Sequence, residues 1–492
     1  MSELKKLEHI IKGIDCRVYG QTDVEVNGVV FDSRKIARGN VFVAVRGTQV
    51  DGHNYLSEAA SKGAVGIICE HFPEDLDDAI SKVVVKNSSI ALGIAAANFY
   101  DNPSEELKVV GITGTNGKTS IATLLYRLFS KLEQKSGLLS TVKNMVGDKE
   151  ITATHTTPDA VTIQWILKEM VDAGCRYAFM EISSHAIDQN RITGLDIDIA
   201  VFTNLTHDHL DYHKDFNSYL KAKKKLFDGL PSHAIALINT DDKHSGILVQ
   251  NTDATVKTYG VHSLAEYKAK IIENHFDGML IQIDNTEVWT KIIGEFNASN
   301  LLAVYTVARL MGFQKHEILR ILSSLDTVEG RFEYVQSNSG VIAIIDYAHT
   351  PDALKNVLKT INQIIGDKSQ IITVVGAGGD RDKTKRPIMG GIAAELSNKV
   401  VLTSDNPRGE EPQVIIDEMM KGVPSNLKNQ VLSIADRKEA IRTACMLAKS
   451  GDVILIAGKG HETYQEIKGE KHFFSDKKVV SELFMTNNFN LQ

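Results

Sequence analysis

The feature that most constrains the fold is a glycine-rich loop between an apolar run and an amphipathic stretch. The run Lys108–Ile112 has the pattern of a buried strand, and the loop Gly114–Thr119 follows it closely. Beyond the loop, apolar residues recur at three- and four-residue spacing, which predicts a helix: Ile121, Leu124, Leu125, Leu128, Phe129 and Leu132. A strand, a glycine loop and a helix in this order predict a parallel α/β sheet.

The same loop has the chemistry of a phosphate site. Glycines let the backbone wrap around a phosphate, and the following helix presents the positive end of its dipole. Lys118 is placed to meet the outer phosphates of ATP, and the Thr119 hydroxyl is placed to reach Mg²⁺. The strict phosphate-loop spacing is not met, because Ile112 stands where its first glycine would be. The alternative, an ordinary glycine-rich connection, fits the flanking strand and helix less well.

Length and charge limit the class of protein. At 492 residues we expect about three domains, and the net charge of -7 argues against a nucleic-acid or membrane-surface binder. The four cysteines are too far apart for the usual zinc spacing or a disulfide framework, as expected in a reducing compartment. We find no signal peptide and no run of 18 apolar residues, so the sequence predicts a cytoplasmic protein with no membrane span.

Strand-like runs alternate with helical periodicity throughout, and motifs place the domains at residues 1–107, 108–331 and 332–492. Four strands are predicted in the last domain, and each ends in polar or glycine residues: Asp346–His349, Gly376–Asp380, Asp405–Arg408 and Gly458–Glu462. Ligands bind beyond the carboxyl ends of strands in open α/β sheets, so these four ends predict a site. Ordinary glycine-capped loops would explain the glycines but not the clustered charged residues.

Two segments of the middle domain carry candidate metal ligands. Glu181 follows a strand-like run, and His209 lies in the histidine-rich segment 203–213. Both could reach an Mg²⁺ ion that bridges the ATP phosphates and the reacting group. Zinc is the weaker choice, because no His-x-x-x-His pair lies clearly on a helix.

One lysine stands out within the predicted helix 219–227. The neighbours of Lys223 three and four residues away are all apolar or aromatic, so its side chain points inward: Tyr219, Leu220, Leu226 and Phe227. Burial lowers the pKa of a lysine and leaves a reactive neutral amine. Such an amine can take up CO₂ as a carbamate, although a snorkelling or ion-paired lysine has the same spacing.

These motifs, in this order and across nearly the whole chain, resemble the Mur ligase family of bacterial cell-wall precursor synthesis. The resemblance implies three domains: a small α/β UDP-binding domain, a central P-loop ATPase-like parallel sheet and a C-terminal Rossmann-like domain. It implies an ATP-dependent ligase that adds meso-2,6-diaminopimelate to UDP-N-acetylmuramoyl-L-alanyl-D-glutamate through an acyl phosphate. The implied ATP contacts are Gly114, Thr115, Asn116, Gly117, Lys118, Thr119, Ser120, Asn297, Asn300, Arg331 and Asp346.

The resemblance also assigns the other ligands. The family's metal ligands correspond to Glu181, His209 and carbamylated Lys223, together with Thr119 from the phosphate loop. The implied catalytic residues are Lys118, Glu181, His209 and Lys223. The implied contacts of the UDP-sugar-peptide are Phe31, Ser33, Thr48, Gln49, Val50, Thr156, Thr157, Ser183, Gln189 and Arg191. Those of diaminopimelate are Arg381, Asp405, Asn406, Pro407, Arg408, Gly458 and Glu462.

Asp405–Arg408 resembles the motif that marks diaminopimelate-adding members of the family, and the chemistry agrees. An arginine fork binds the second carboxylate of this amino acid, and Glu462 can pair with its distal ammonium group. The alternatives are the same reaction with L-lysine, a folylpolyglutamate synthase-like ligase, or a nucleotide-dependent switch protein. His349 is a candidate general base with an equally plausible structural role. We expect a monomer whose partners are small-molecule substrates.

Overall fold

The N-terminal part is a small α/β unit. The structure is a computed structural model that describes residues 4–47, 50–74, 76–153, 155–366 and 369–486. The first elements are β1 (Lys5–Lys6), α1 (Leu7–Ile10), β2 (Cys16–Tyr19), β3 (Glu25–Val26), β4 (Gly28–Val30), β5 (Asn40–Val43), α2 (Leu56–Ser61), β6 (Gly66–Cys69), β7 (Ser81–Val85), α3 (Ser88–Phe99) and α4 (Pro103–Glu106). Five strands pair in the order β2-β7-β6-β5-β4; β2 is antiparallel to β7, and the other pairs are parallel.

The middle part is built on an eleven-stranded sheet. Its elements are β8 (Lys108–Thr113), α5 (Lys118–Lys131), β9 (Ser136–Leu139), β10 (Asn144–Val146), β11 (Lys149–Ile151), α6 (Ala160–Asp172), β12 (Tyr177–Glu181), α7 (Ser184–Asp188), β13 (Ile199–Phe202), α8 (Leu210–His213), α9 (Phe216–Asp228), β14 (Ile235–Asn239), α10 (Ser245–Leu248), β15 (Thr255–Gly260), β16 (Tyr267–His275), β17 (Gly278–Ile283), β18 (Thr286–Thr290), α11 (Glu295–Leu310) and α12 (Lys315–Leu322). The order is β11-β10-β9-β12-β8-β13-β14-β15-β16-β17-β18, and pairing is parallel from β9 to β16. The phosphate loop therefore leaves the middle of a parallel sheet, where β8 lies between β12 and β13.

The C-terminal part holds a six-stranded sheet. Its elements are β19 (Glu333–Gln336), β20 (Ile342–Asp346), α13 (Pro351–Ile364), β21 (Ile371–Ala377), α14 (Lys385–Leu396), β22 (Lys399–Ser404), α15 (Pro412–Met420), β23 (Val431–Ser433), α16 (Arg437–Leu447), β24 (Val453–Ala457), β25 (Tyr464–Ile467), β26 (Glu470–Phe473) and α17 (Asp476–Thr486). The order is β19-β20-β24-β21-β22-β23, parallel except for β19, and β25 and β26 form a separate hairpin. The four strands predicted here are β20, β21, β22 and β24.

Helices cover both faces of the middle sheet, because successive apolar side chains along its strands point to opposite faces and both faces must be buried. Val110 faces a core that also contains α5 and α11, while Val109 faces the core that contains α6 and α9. The first of these cores continues into the C-terminal part through Ile344 and Leu354. Packing thus joins the middle and C-terminal domains without a break. The mixed α/β architecture, with three sheets of five or more strands and a large, mostly parallel one in the middle, confirms the predicted fold class. The domain limits at 107/108 and 331/332 stay predictions.

Two local signals explain the helices that matter most for function. The predicted helix after the phosphate loop is α5, and it begins without any side-chain cap on its first N–H groups. In contrast, Asp215 caps α9 by accepting a hydrogen bond from the Ser218 N–H at 2.8 Å. Within the described ranges, no helix is both long and apolar enough to cross a membrane.

Candidate active site

The phosphate loop is held open by its glycines. Gly114 has φ +148° and Gly117 has φ +89°, and a Cβ at Gly114 would collide with the Thr203 hydroxyl. Because α5 has no side-chain cap, its first N–H groups are left for an anion. Lys118 Nζ donates hydrogen bonds to the carbonyls of Gly114 and Thr115, at 2.9 and 2.8 Å. The loop therefore has the form of a phosphate cradle with its lysine folded over it.

Glu181 lies at the end of β12 and is fixed from two sides. Its Oε1 accepts a hydrogen bond from the Thr141 N–H at 2.7 Å, and its Oε2 accepts one from the Thr119 hydroxyl at 3.0 Å. Arg331 Nη2 in turn donates to the same Thr119 oxygen at 3.0 Å. The carboxylate is thus ordered directly beside the phosphate loop.

Lys223 lies on the buried face of α9, as its spacing predicts, with a side chain that is 1% exposed. Its Nζ is 3.0 Å from the Gly114 carbonyl oxygen and 3.3 Å from the Thr113 hydroxyl, and it lies 4.9 Å from the centre of the Tyr219 ring. Burial, reinforced by the positive charge of Lys118, holds the pKa of Lys223 well below its usual 10.5. The uncharged amine is therefore more accessible here than in an exposed lysine.

His209 faces the same cleft at the start of α8. Its Nε2 lies 3.3 Å from Asp208 Oδ2, and its ring meets that of His185 edge-on with centroids 4.8 Å apart. Burial lowers the pKa of His209 to about 3, against the opposing effect of Asp208. A neutral imidazole is the form that can ligate a metal.

The donor set fits a magnesium ion that takes most of its ligands from substrate. Among the residues that the structure describes, no group of three or more His, Cys, Asp or Glu side chains is arranged to hold a metal. Mg²⁺ is commonly bound by one or two protein carboxylates together with water and substrate phosphates. Glu181 and the Thr119 hydroxyl provide such a partial set at the phosphate loop.

These groups line one cleft of about 430 Å³, which is within the size range of small-molecule sites. The predicted residues that line it are Gly114, Thr115, Asn116, Gly117, Lys118, Thr119, Ser120, Thr156, Glu181, Ser183, His209, Lys223, Asn300, Arg331 and Asp346. Asn297 is not among the lining residues. It lies behind Asn300, whose Nδ2 donates to its Oδ1 at 3.1 Å, so it supports the wall of the cleft.

Asp346 ends β20 and is largely buried at the domain junction, where it lines the cleft. Its Oδ2 accepts a hydrogen bond from the Phe332 N–H at 2.6 Å. Burial raises the pKa of Asp346 to about 6, although the Arg331 charge and the N–H groups of Phe332 and Ala348 favour the ionised form. Asp346 is therefore a carboxylate held in ionised form at some energetic cost at neutral pH.

His349 lies on the loop after β20 and lines the cleft. Its Nδ1 is 2.8 Å from the Tyr347 carbonyl oxygen, which can only accept, so Nδ1 carries the hydrogen. Burial lowers the pKa of His349 to about 4, with Lys385 adding to the effect. The neutral ring therefore keeps the lone pair on Nε2, and this nitrogen can accept a proton.

The C-terminal domain contacts the phosphate loop directly. Asn116 Nδ2 donates to Asp352 Oδ2 on α13 at 3.0 Å. A second contact between the middle and C-terminal domains joins His207 Nε2, outside the phosphate loop, to Asp382 Oδ2 at 3.1 Å. Sequence reasoning missed both pairs because their members lie more than 170 residues apart.

The predicted sugar-peptide residues of the middle domain begin in the wall of this cleft and continue behind it. Thr156 and Ser183 line it, while the Thr157 hydroxyl accepts a hydrogen bond from the Ser183 N–H at 3.0 Å. Arg191 donates to the Thr157 carbonyl at 2.9 Å and to Gln189 Oε1 through its Nε and Nη2, at 3.0 and 2.6 Å. These residues form one hydrogen-bonded set next to the cleft.

Three of the predicted sugar-nucleotide residues of the N-terminal domain are described by the structure, and they do not line the cleft: Phe31, Ser33 and Val50. Phe31 and Val50 are exposed, and Ser33 begins a single 3₁₀ turn after Asp32. Thr48 and Gln49 lie outside the described residues. The structure thus brings the phosphate loop and metal candidates together, while Phe31, Ser33 and Val50 are not part of the cleft lining.

The predicted diaminopimelate residues follow the carboxyl ends of β21, β22 and β24: Arg381, Asp405, Asn406, Pro407, Arg408, Gly458 and Glu462. They also lie outside the cleft lining. Glu462 Oε2 accepts hydrogen bonds from Asn406 Nδ2 and from Lys459 Nζ, both at 2.8 Å, and Lys459 also donates to Asn406 Oδ1 at 3.0 Å. Lys459 is fully buried, and sequence reasoning missed its role although it stands inside the quoted segment 458–462.

Arg408 and Arg381 flank one glycine. A Cβ at Gly378 would lie 3.0 Å from Arg408 Nη1 and 3.7 Å from Arg381 Cγ. Arg408 Nη1 donates to the Gly379 carbonyl at 2.8 Å, and Arg408 Nε lies 3.3 Å from Glu466 Oε2 on β25. The hairpin β25–β26 therefore belongs to this loop cluster, which the sequence did not indicate.

Three family models together match most of the chain. One described as "Mur ligase family, catalytic domain" matches residues 25–108, "Mur ligase middle domain" matches 112–308, and "Mur ligase, glutamate ligase domain" matches 330–460.

Two curated relatives carry the name UDP-N-acetylmuramoyl-L-alanyl-D-glutamate--2,6-diaminopimelate ligase. That of Phocaeicola vulgatus is 54% identical over 97% of this chain and 99% of its own length. That of Cytophaga hutchinsonii is 54% identical over 95% of this chain and 96% of its own length.

Solved structures show the same architecture. One of a UDP-N-acetylmuramoyl-L-alanyl-D-glutamate--2,6-diaminopimelate ligase is 31% identical, with a TM-score of 0.69, and the match covers 98% of this chain and 99% of that one. The MurF ligase of Thermotoga maritima, solved in complex with ADP, is 20% identical with a TM-score of 0.64, over 94% of this chain and 97% of that one. At that identity the second likeness concerns the fold.

Proposed function

The chain belongs to the Mur ligase family, and we propose that it joins 2,6-diaminopimelate to UDP-N-acetylmuramoyl-L-alanyl-D-glutamate with ATP, a step of peptidoglycan precursor synthesis. The names of relatives that share more than half of its residues over nearly the full length support this reaction. The observation that carries it is the single cleft in which Lys118, Glu181 and Lys223 meet.

The first chemical step is transfer of the γ-phosphoryl group of ATP to the γ-carboxylate of the D-glutamyl residue. An oxygen–phosphorus bond forms, the bond to ADP breaks, and an acyl phosphate results. Lys118, the N–H groups of α5 and Arg331 lie around the phosphate loop, where they neutralise charge on the transferring group.

The second step is attack by the amine of diaminopimelate on the acyl carbon. The tetrahedral intermediate collapses to the amide as phosphate leaves, and the amine loses a proton. His349 Nε2 is the acceptor that we propose for this proton, because its Nδ1 hydrogen is committed to the Tyr347 carbonyl. Contacts between the C-terminal domain and the phosphate loop keep water from the acyl phosphate.

Glu181, Thr119, His209 and Lys223 as a carbamate would hold magnesium. The ion, when bound, supplies further neutralisation of the phosphate charge. Carbamate formation joins the neutral amine of Lys223 to the carbon of CO₂ and releases one proton. It needs the uncharged amine that burial favours here.

Substrate contacts are assigned by the same proposal. The ATP phosphates lie at Gly114–Ser120 with Asn300, Arg331 and Asp346 on the remaining walls. The sugar-peptide contacts Thr156, Ser183 and the hydrogen-bonded set behind them, and its UDP end contacts the Phe31 surface. Arg408 binds the distal carboxylate of meso-diaminopimelate, and Glu462 binds its distal ammonium group.

We propose a monomer that acts in the cytoplasm, where ATP is available. Its four cysteines, three of them buried, form no disulfide, as suits a reducing compartment.

The test is release of ADP by the purified chain. It should require both UDP-N-acetylmuramoyl-L-alanyl-D-glutamate and meso-diaminopimelate, with the tripeptide product detected by mass spectrometry. ADP release without either substrate, or no tripeptide, would contradict the proposal. Faster turnover with L-lysine would move the specificity to the lysine alternative.

A further inference from the structure

The hairpin β25–β26 holds Arg408 through its main chain. The Arg408 N–H donates to the Glu466 carbonyl at 3.0 Å, and the Lys468 N–H donates to the Arg408 carbonyl at 2.7 Å. Arg408 also forms an isolated parallel bridge with Ile467 and has φ +51°. These bonds fix the backbone of the arginine whatever side chain stands at position 466.

The guanidinium group is committed on two sides. Nη1 donates to the Gly379 carbonyl at 2.8 Å, and Nε lies 3.3 Å from the Glu466 carboxylate. The side chains of Arg408 and Glu466 are 24% and 28% exposed, so a ligand from solvent can reach this pair. A carboxylate that binds arginine in bidentate fashion uses two neighbouring N–H groups, and Glu466 already lies at Nε.

We propose that Glu466 is an internal counter-ion of Arg408 and a specificity-determining residue, which competes with the distal carboxylate of the incoming amino acid. The inference rests on the proposed function, because it assumes that Arg408 receives that carboxylate. Glu466 touches the arginine rather than the reacting atoms.

The consequence differs between two amino acids. Diaminopimelate must place its carboxylate beside Glu466, and the two negative charges repel each other. L-Lysine has no such carboxylate. When lysine binds, Glu466 still pairs with Arg408. An unpaired group is what makes recognition sites reject an analogue that lacks the matching group. Glu466 therefore weakens selection for diaminopimelate from both directions.

The Glu466→Gln variant keeps the size of the side chain and the main-chain bonds while it removes the charge. The matched control is Glu470→Gln, which removes the same charge from β26, where the side chain is 81% exposed and 3.8 Å from His472. Steady-state kinetics give KM and kcat for meso-diaminopimelate. A mixture with excess L-lysine, resolved by mass spectrometry, gives the ratio of the two products.

We expect Glu466→Gln to lower KM for diaminopimelate about two- to fivefold, the range for a partly exposed ion pair. Its kcat should stay within about twofold, and the product ratio should move toward diaminopimelate by a similar factor. Glu470→Gln should leave both readouts at the wild-type value. An unchanged or raised KM in Glu466→Gln, or an equal shift in Glu470→Gln, would overturn the inference. Wild-type enzyme that joins neither amino acid would instead contradict the proposed function.

Discussion

Replacing Lys223 by alanine removes the amine that we propose becomes a carbamate. A lysine with its usual pKa of 10.5 is roughly 0.3% neutral at pH 8. Burial on α9 lowers the pKa of Lys223 well below that value, so a larger fraction of the amine is neutral and reactive at the same pH. The carbamate should therefore form readily at neutral pH and be lost as acid protonates the amine.

The expected result is a fall in kcat of about 100- to 1,000-fold in Lys223→Ala, the scale for removing one group that stabilises transition-state charge. Short carboxylic acids such as formate or acetate should restore part of the activity by replacing the missing carboxylate. The control is Lys221→Ala, two residues away on the exposed face of α9, which should keep wild-type activity.

Nuclear magnetic resonance with ¹³C-labelled bicarbonate checks the modification itself. Wild type and Lys221→Ala should show a protein-bound carbamate signal, and Lys223→Ala should lack it. The reasoning would be refuted by wild-type protein with full activity, no such signal and no response to removal of CO₂. A Lys223→Ala variant with wild-type kcat would refute it equally.

Three further predictions follow from groups around the site. Lys459→Met should raise KM for diaminopimelate about tenfold with a smaller change in kcat, because Glu462 loses a charge-assisted hydrogen bond of about 1.5 kcal/mol. Lys459→Arg should restore part of the affinity for diaminopimelate. A rise in KM matched by an equal fall in kcat would argue for misfolding instead. His349→Gln should lower kcat about 100-fold, while quench-flow measurements should still detect the acyl phosphate. Unchanged turnover would exclude His349 as the base. The folded chain holds the Asp346 proton more tightly than the unfolded chain, so the ionisation of Asp346 opposes folding as pH rises from about 4 to 6. Denaturant unfolding should show Asp346→Asn stabilised relative to wild type by about 3 kcal/mol at pH 7 and by much less at pH 4.5. An equal difference at both pH values would contradict this.

Local pattern was enough to predict the burial of Lys223 and the position of the phosphate loop in the middle domain. The buried face of α9 repeats at three- and four-residue spacing, so Lys223 could be placed inward from its four neighbours at i−4, i−3, i+3 and i+4. The phosphate loop was equally visible, because a strand, three nearby glycines and a helix are contiguous in the chain. Such features depend on neighbours within a few turns.

Contacts between distant segments could not be predicted in the same way. The pairing of Arg408 with Glu466 depends on how the β25–β26 hairpin returns over the loop after β22, and no periodicity in the sequence carries that information. The motif identified the arginine, while its counter-ion came from tertiary structure.

The main-chain support of Arg408 has a consequence for how such enzymes can diverge. Since the hairpin holds the arginine through the carbonyl of Glu466 and the N–H of Lys468, mutation at position 466 changes charge without disturbing the loop backbone. If Glu466 competes with the substrate carboxylate as proposed, preference among amino acids can drift by single substitutions at this position. A lineage that acquires a different cell-wall amino acid has at this position a route that avoids an inactive intermediate.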